Sequence, residues 1–239
     1  MMIRVAVCQQ RLHENLGDDV LRRIMGAQPH FLCLPEHYPL PKHVKNIKQA
    51  ADLFDERKQY LCEISKKTQT VLIGGTLTEP VDGGFHNTCY VFSNGVEAGF
   101  YRKVYPTERE IEAGVIPGKD FCVFDLQGVR AGVLICADVL FERSYTEMAS
   151  RKCAMTFVPT ASPFRSGETV EQKFERDHSI FVEGAKKLRG PMIKTCGVGS
   201  TFGHPIQGRS LIATPAGILT RAEPHQENDP LLLIADLEV

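Results

Sequence analysis

The chain is 239 residues long, 43% hydrophobic and 24% charged, with a formal net charge of −1. That is enough sequence for one substantial core in an ordinary globular protein. No run approaches 18 consecutive apolar residues and no basic run is long enough for a nucleic-acid footprint, which excludes a membrane-spanning helix and argues against a nucleic-acid partner.

In chain order, Met2–Gln9 reads as an edge-to-core strand, with neither the basic flank nor the cleavage site of a signal peptide. A helix is predicted over 16–27 and a strand over 30–34 that ends at Pro35-Glu36. Ala50, Leu53, Phe54, Leu61 and Ile64 recur at helical spacing, which predicts one helix over 46–68. Residues 71–75 read as a buried strand, and 85–93 with 96–102 as a hairpin turned at Asn94-Gly95. Residues 103–119, with Pro106, Gly114, Pro117 and Gly118, read as irregular. A second hairpin is expected over 121–136. A helix (141–151), a strand (153–159), a helix (169–188) and a strand (191–198) follow. Short strands near 209–213, 217–222 and 231–236 complete the chain. Helices alternating with strands, with hairpins between, imply one α/β layered domain over 1–239 with a mixed sheet.

Eight cysteines are present. Several lie inside apolar, strand-like runs (Val7-Cys8, Leu32-Cys33, Ile135-Cys136), so reduced thiols in the cytoplasm are expected rather than disulfides. No Cys-x-x-Cys or paired Cys/His spacing suggests zinc.

Three residues stand at predicted strand ends and carry useful chemistry. Cys136 closes Ala131-Gly132-Val133-Leu134-Ile135 just before a predicted helix, where open α/β sheets place their sites and where helix N–H groups favour a thiolate or oxyanion. Glu36 ends Phe31-Leu32-Cys33-Leu34-Pro35, so its carboxylate is partly desolvated and suited to proton transfer. Lys103 follows Phe100-Tyr101-Arg102 and offers a compact positive charge. Taken singly, Glu36 and Lys103 read as solvated surface residues and Cys136 equally well as an inert thiol. His37 reads as a loop histidine. His86 and His204 raise a Cys-His protease, but no papain-like motif or orienting Asn accompanies them.

Taken in order, the three resemble the Glu-Lys-Cys triad of the nitrilase superfamily, the carbon–nitrogen hydrolases. Leu34-Pro35-Glu36, Tyr101-Arg102-Lys103-Val104 and Gly132-Val133-Leu134-Ile135-Cys136-Ala137-Asp138 match its three motifs, with Glu110 and Glu142 at familiar offsets. Val158–Pro163 resembles the substrate-side loop, and Gly208-Arg209-Ser210 with Thr214–Gly217 the later strand-and-turn signature. The chain departs at Phe141, where proline is common, in its lack of tryptophan, and over Gly184–Leu188.

The resemblance implies a four-layer α-β-β-α sandwich. It also implies a hydrolase cleaving a small amide through a Cys136 thioester, with a nitrilase or a non-catalytic scaffold as alternatives. Glu36 would be the proton-transfer base, Lys103 and the Ala137 N–H would hold the oxyanion, and Glu110 would orient Lys103 or the substrate. A free thiol titrates near about 8.5, so the Lys103 charge is expected to help supply thiolate. No metal or cofactor is implied. The partners implied are a small amide or nitrile substrate and a second copy of the chain, in a homodimer or higher oligomer.

Overall fold

The computed structural model describes residues 1–239. The chain opens with β1 (Met2–Arg11), α1 (Asp18–Ala27) and β2 (Phe31–Cys33). The helix expected over 46–68 breaks at Asp52-Leu53 into α2 (Ile47–Ala51), capped by the Asn46 side chain, and α3 (Phe54–Thr68). Next come β3 (Val71–Ile73), β4 (Leu77–Val81), β5 (Gly84–Ser93) and β6 (Val96–Arg102). Asn94 and Gly95 both have positive φ (51° and 81°), the left-handed pair that a two-residue hairpin of this twist requires.

The stretch expected to be irregular contains α4 (Glu108–Glu112). Then follow β7 (Val123–Leu126), β8 (Val129–Val133), a 3-10 turn over Cys136–Leu140 and α5 (Glu142–Ser150). β9 (Met155–Thr160) leads to α6 (Val170–Asp177), a π turn (His178–Val182) and α7 (Glu183–Leu188). β10 (Met192–Thr201), β11 (His204–Ile206), β12 (Leu211–Thr214), β13 (Gly217–Arg221) and β14 (Leu231–Glu238) end the chain. No helix is long and apolar enough to cross a membrane.

The strands run in the order β4-β5-β3-β2-β1-β10-β9-β8-β7. β1 lies at the centre of this path rather than at an edge. It pairs with β14 over Met2–Gln9, with β2 over Val5–Val7 and with β10 only at Gln10 and Arg11. That short junction is a corner, and the two halves fold over one another there.

The alternation of side chains shows how. Val5, Val7, Phe31, Cys33, Val71, Ile73, Cys89 and Val91 face inward, against Ala131, Val133, Met155 and Phe157 of the other half. Phe31 and Phe157 meet with ring centroids 5.3 Å apart. The intervening residues Ala6, Cys8, Leu32, Leu72, Tyr90 and Phe92 face outward and pack with Leu21, Ile24, Leu61 and Ile64 of α1 and α3. On the far side, a Cβ at Gly132 would lie 2.8 Å from the sulfur of Met148 in α5, and one at Gly184 of α7 would lie 2.5 Å from that of Met192. Helices therefore press closely on that sheet. The result is the expected α-β-β-α sandwich, since a period-two pattern apolar on both faces needs a layer on each side.

Candidate active site

Glu36, Lys103 and Cys136 lie one to three residues beyond the carboxyl ends of β2, β6 and β8. Those strands run in the same direction through the sheet pairings, so their ends meet at one edge. Local chain chemistry sets each residue. A Cβ at Gly75 (φ +63°) would lie 2.1 Å from the Pro35 carbonyl oxygen, so a glycine lets the Glu36 loop close. The Lys103 backbone extends the ladder, donating to Asn87 O at 2.9 Å and accepting from Gly118 N at 2.7 Å. Cys136 begins the 3-10 turn itself with φ +46°, so the first turn of N–H groups starts at this cysteine rather than near Phe141.

The side chains converge although Glu36 and Lys103 are 67 residues apart. The buried Lys103 ammonium donates to Glu36 Oε1 and to Glu110 Oε2, both at 2.8 Å. Glu110 is in turn the third residue of a capping box, accepting from Thr107 N at 2.8 Å while Thr107 caps α4. The Thr107-x-x-Glu110 spacing after a proline is the signal that could have revealed α4 in the sequence.

Two contributors were not singled out in the sequence, although Ala161 lies in the Val158–Pro163 motif. The Asn87 amide donates to Glu36 Oε1 at 2.9 Å and to Glu110 Oε1 at 2.7 Å, bridging the two carboxylates opposite Lys103. Its signal is an asparagine on the inward face of an apolar strand, which must find partners. Ala161 contacts Glu36 and Cys136 together. Its N–H donates to Glu36 Oε2 at 2.8 Å, and its carbonyl accepts from the Cys136 thiol at 3.9 Å.

His37, read as a loop histidine, is buried with Nε2 3.9 Å from Glu36 Oε1 and its ring edge-on to Phe202. Burial lowers its pKa, so it is neutral at physiological pH. His86 instead contacts the Ile116 carbonyl and His204 is exposed on β11, so neither partners the thiol. Ala137 is half-buried in the first turn after Cys136.

Electrostatics revise one expectation. Burial and the neighbouring Glu36 charge push the Cys136 thiol well above its usual range, and Lys103 offsets this only in part. Cys8 and Cys33 are pushed up to about 12 by burial alike. Resting acidity therefore does not distinguish Cys136; the adjacent Glu36 carboxylate and Lys103 ammonium do. The Lys103 ammonium is held protonated because the charges of Glu36, Cys136 and Glu110 outweigh its burial. Glu36, His37 and Glu110 offer ligand atoms within 4.8 Å of one another, a spacing that suits a metal ion. Lys103 stands between the two carboxylates and supplies the positive charge there.

Comparison with known proteins gives a consistent picture. The carbon–nitrogen hydrolase family model matches residues 13–239. The omega-amidase of Homo sapiens is 27% identical over 208 residues, covering 78% of this chain and 75% of that protein. The omega-amidase of Mus musculus is 26% identical over 240 residues, covering 92% and 84%. Among solved structures, the carbon–nitrogen hydrolase of Helicobacter pylori G27 superposes with a TM-score of 0.82 at 22% identity, over 98% of this chain and 88% of that one. A mutant amidase from Nesterenkonia sp. AN1, with the acetamide moiety of fluoroacetamide on its active-site cysteine, superposes with a TM-score of 0.83 at 21% identity, over 98% and 90%.

Proposed function

The chain belongs to the carbon–nitrogen hydrolase family and is an enzyme of it, and from that premise we propose that it cleaves a small amide through a thioester on Cys136. The observation that carries this reading is the Lys103 ammonium, held 2.8 Å from both Glu36 and Glu110 at the sheet edge that bears Cys136. Glu36 receives the thiol proton as sulfur attacks the amide carbon. Lys103 and the Ala137 N–H take the developing oxyanion; one such donor is typically worth about 10²–10³ in rate. Glu36 passes its proton to the departing ammonia, leaving an acyl thioester. It then deprotonates a water that cleaves the thioester, giving the carboxylic acid and restoring the thiol. Glu110 holds Lys103 in place. Relatives named omega-amidase and neighbours named amidase favour an amide over a nitrile.

Residues 1–239 act as one hydrolase domain. Exposed Leu140 and Phe141 beside the nucleophile turn support a homodimer, checked by a light-scattering mass of twice the chain. Eight unpaired cysteines support a reducing compartment such as the cytoplasm.

The test is a panel of small amides, ureido acids and nitriles scored for ammonia, with acid-quenched samples mapped by peptide mass spectrometry. Ammonia from an amide and an acyl group on Cys136 are expected. An adduct on another cysteine, or turnover of nitriles alone, overturns the reading.

A further inference from the structure

The oxyanion site proposed above draws its two donors from different halves of the sandwich. Lys103 follows β6, and Ala137 follows β8. Such donors act only when both lie about 2.7–3.1 Å from one oxygen position, so something must hold the two elements in register.

Asp138 is placed to do this. It sits two residues after Cys136 and is fully buried at 0% exposure. Its carboxylate accepts three hydrogen bonds, all from neutral donors. The Tyr101 hydroxyl donates to Oδ2 at 2.8 Å and the Ile135 N–H to the same oxygen at 2.9 Å. The Tyr105 N–H donates to Oδ1 at 2.8 Å. Tyr101 and Tyr105 are the residues two before and two after Lys103, so one side chain grips both flanks of the cation. Its third bond closes on the nucleophile. Asp138 N also donates to Ile135 O at 3.0 Å, so Cys136 and Ala137 are enclosed between two reciprocal bonds. That ring holds Cys136 at φ +46°, a conformation an L-residue rarely adopts and keeps only when its surroundings determine it. The far side of the turn is tied to α5, with Ser144 Oγ donating to Asp138 O at 2.7 Å and Tyr145 Oη to Val139 O at 2.6 Å.

We propose that Asp138 is a positioning residue for the hydrolysis, a latch that sets the Lys103 ammonium and the Ala137 N–H on one oxyanion position above Cys136. This rests on the reading of Cys136 as nucleophile. A carboxylate is needed because one oxygen accepts from both a hydroxyl and an amide while the other accepts from a second amide. An asparagine of the same shape has one acceptor oxygen and would turn an NH₂ toward an N–H.

The experiment compares wild type, Asp138→Asn, Tyr101→Phe and the double variant. Active sites are counted by the acyl burst with p-nitrophenyl acetate, and turnover is measured with the amide that releases most ammonia in the panel above. Asp138→Asn is expected to lower kcat per titrated site about 10²-fold, the usual consequence of a misplacement near 1 Å. KM should stay within about threefold, because the oxyanion contact forms only in the transition state. Tyr101→Phe should lose less, and the double variant no more than Asp138→Asn. A brace needed only for folding would lower the count of titratable sites and leave kcat per site unchanged; that outcome overturns the proposal. If Asp138→Asn does not fold, Tyr101→Phe with wild-type kcat per site overturns it equally. Peptide mapping of the burst adduct separates the two ideas, since acyl on a cysteine other than Cys136 refutes the nucleophile assignment and not the latch alone.

Discussion

Two buried charge clusters lie in this molecule, and only one stands beside a thiol, that of Cys136. In the first, two carboxylates, Glu36 and Glu110, share the ammonium of Lys103. In the second, the carboxylate of Asp177 at the end of α6 is shared by three cations, and Glu168 lies 3.8 Å from one of them, Arg209. Lys194 lies at 3.0 Å, Arg209 at 2.6 Å and Arg221 at 3.2 Å. Arg209 also donates to the Lys173 carbonyl, and Arg221 stacks over Phe174, its guanidinium carbon 3.6 Å from the ring centroid. Burial and ion pairing are alike in the two, with Lys103 and Lys194 both nearly inaccessible. The sign of the excess differs. The first cluster has a carboxylate to spare beside a thiol, so a proton has somewhere to go. In the second, Lys194 and Arg209 outweigh the burial of Asp177 and hold its carboxyl below the usual range, which leaves no base. Of the two, the proposed function therefore uses only the cluster in which acid exceeds cation, at the sheet edge that also carries Cys136.

This contrast can be broken most sharply at the first cluster. Glu36→Gln is expected to lower kcat about 10²–10⁴-fold, the usual range for a general base, while the melting curve stays cooperative. Turnover within twofold of wild type would remove Glu36 from the mechanism. At the second cluster the expectation reverses. Lys194→Met leaves Asp177 without its Oδ1 partner in a buried setting, which costs about 3–5 kcal/mol and lowers the melting temperature by roughly 6–20 °C. Turnover of the folded variant should remain within about twofold. A kcat that collapses while the melting temperature holds would place this cluster in the chemistry.

The smallest effect sharpens the comparison within the site. Although burial opposes it, the charge of Lys103 holds the Glu110 carboxyl down at about 2. Its contribution is therefore complete above about pH 4.5 and is lost as pH falls toward 2. Burial instead raises Asp138 to about 6. Its contribution is complete below about pH 4 and is lost as pH rises through 6. In urea titrations, Glu110→Gln should lose about 2 kcal/mol less than wild type between pH 5.5 and 3. Asp138→Asn should show a shallower decline than wild type between pH 4 and 6.5. Slopes identical to wild type in both variants would refute these assignments.

Much of this was readable from the chain. Strand ends before Glu36 and at Cys136 follow from apolar runs, that before Lys103 from a hairpin turned at Asn94-Gly95, and their order and motifs point to one family. Asn87 was not readable, and Ala161 only as part of the Val158–Pro163 loop, because an asparagine or an alanine has no chemistry until its partners are known. The 3-10 turn at Cys136 was missed because only five residues form it, too few for a periodic signal. His37 does lie in a turn beside Glu36, and only its burial, with Phe202 of a distant segment against its ring, was not readable.

The residue order alone determined which strand residues share a face, since side chains two apart point the same way wherever the strand lies, and that both faces of the central strands are apolar; which face meets the other sheet was left to the tertiary structure. The residue order likewise determined that helices must cover the outer faces, because apolar residues there need a partner layer. Only the tertiary structure decided that Glu36 and Glu110 share Lys103, that Asn87 closes their ring, and that Asp138 binds both flanks of Lys103. Those contacts join residues brought together by strand order and by the short β1–β10 corner. Local spacing along the chain carries no record of distance across such a junction.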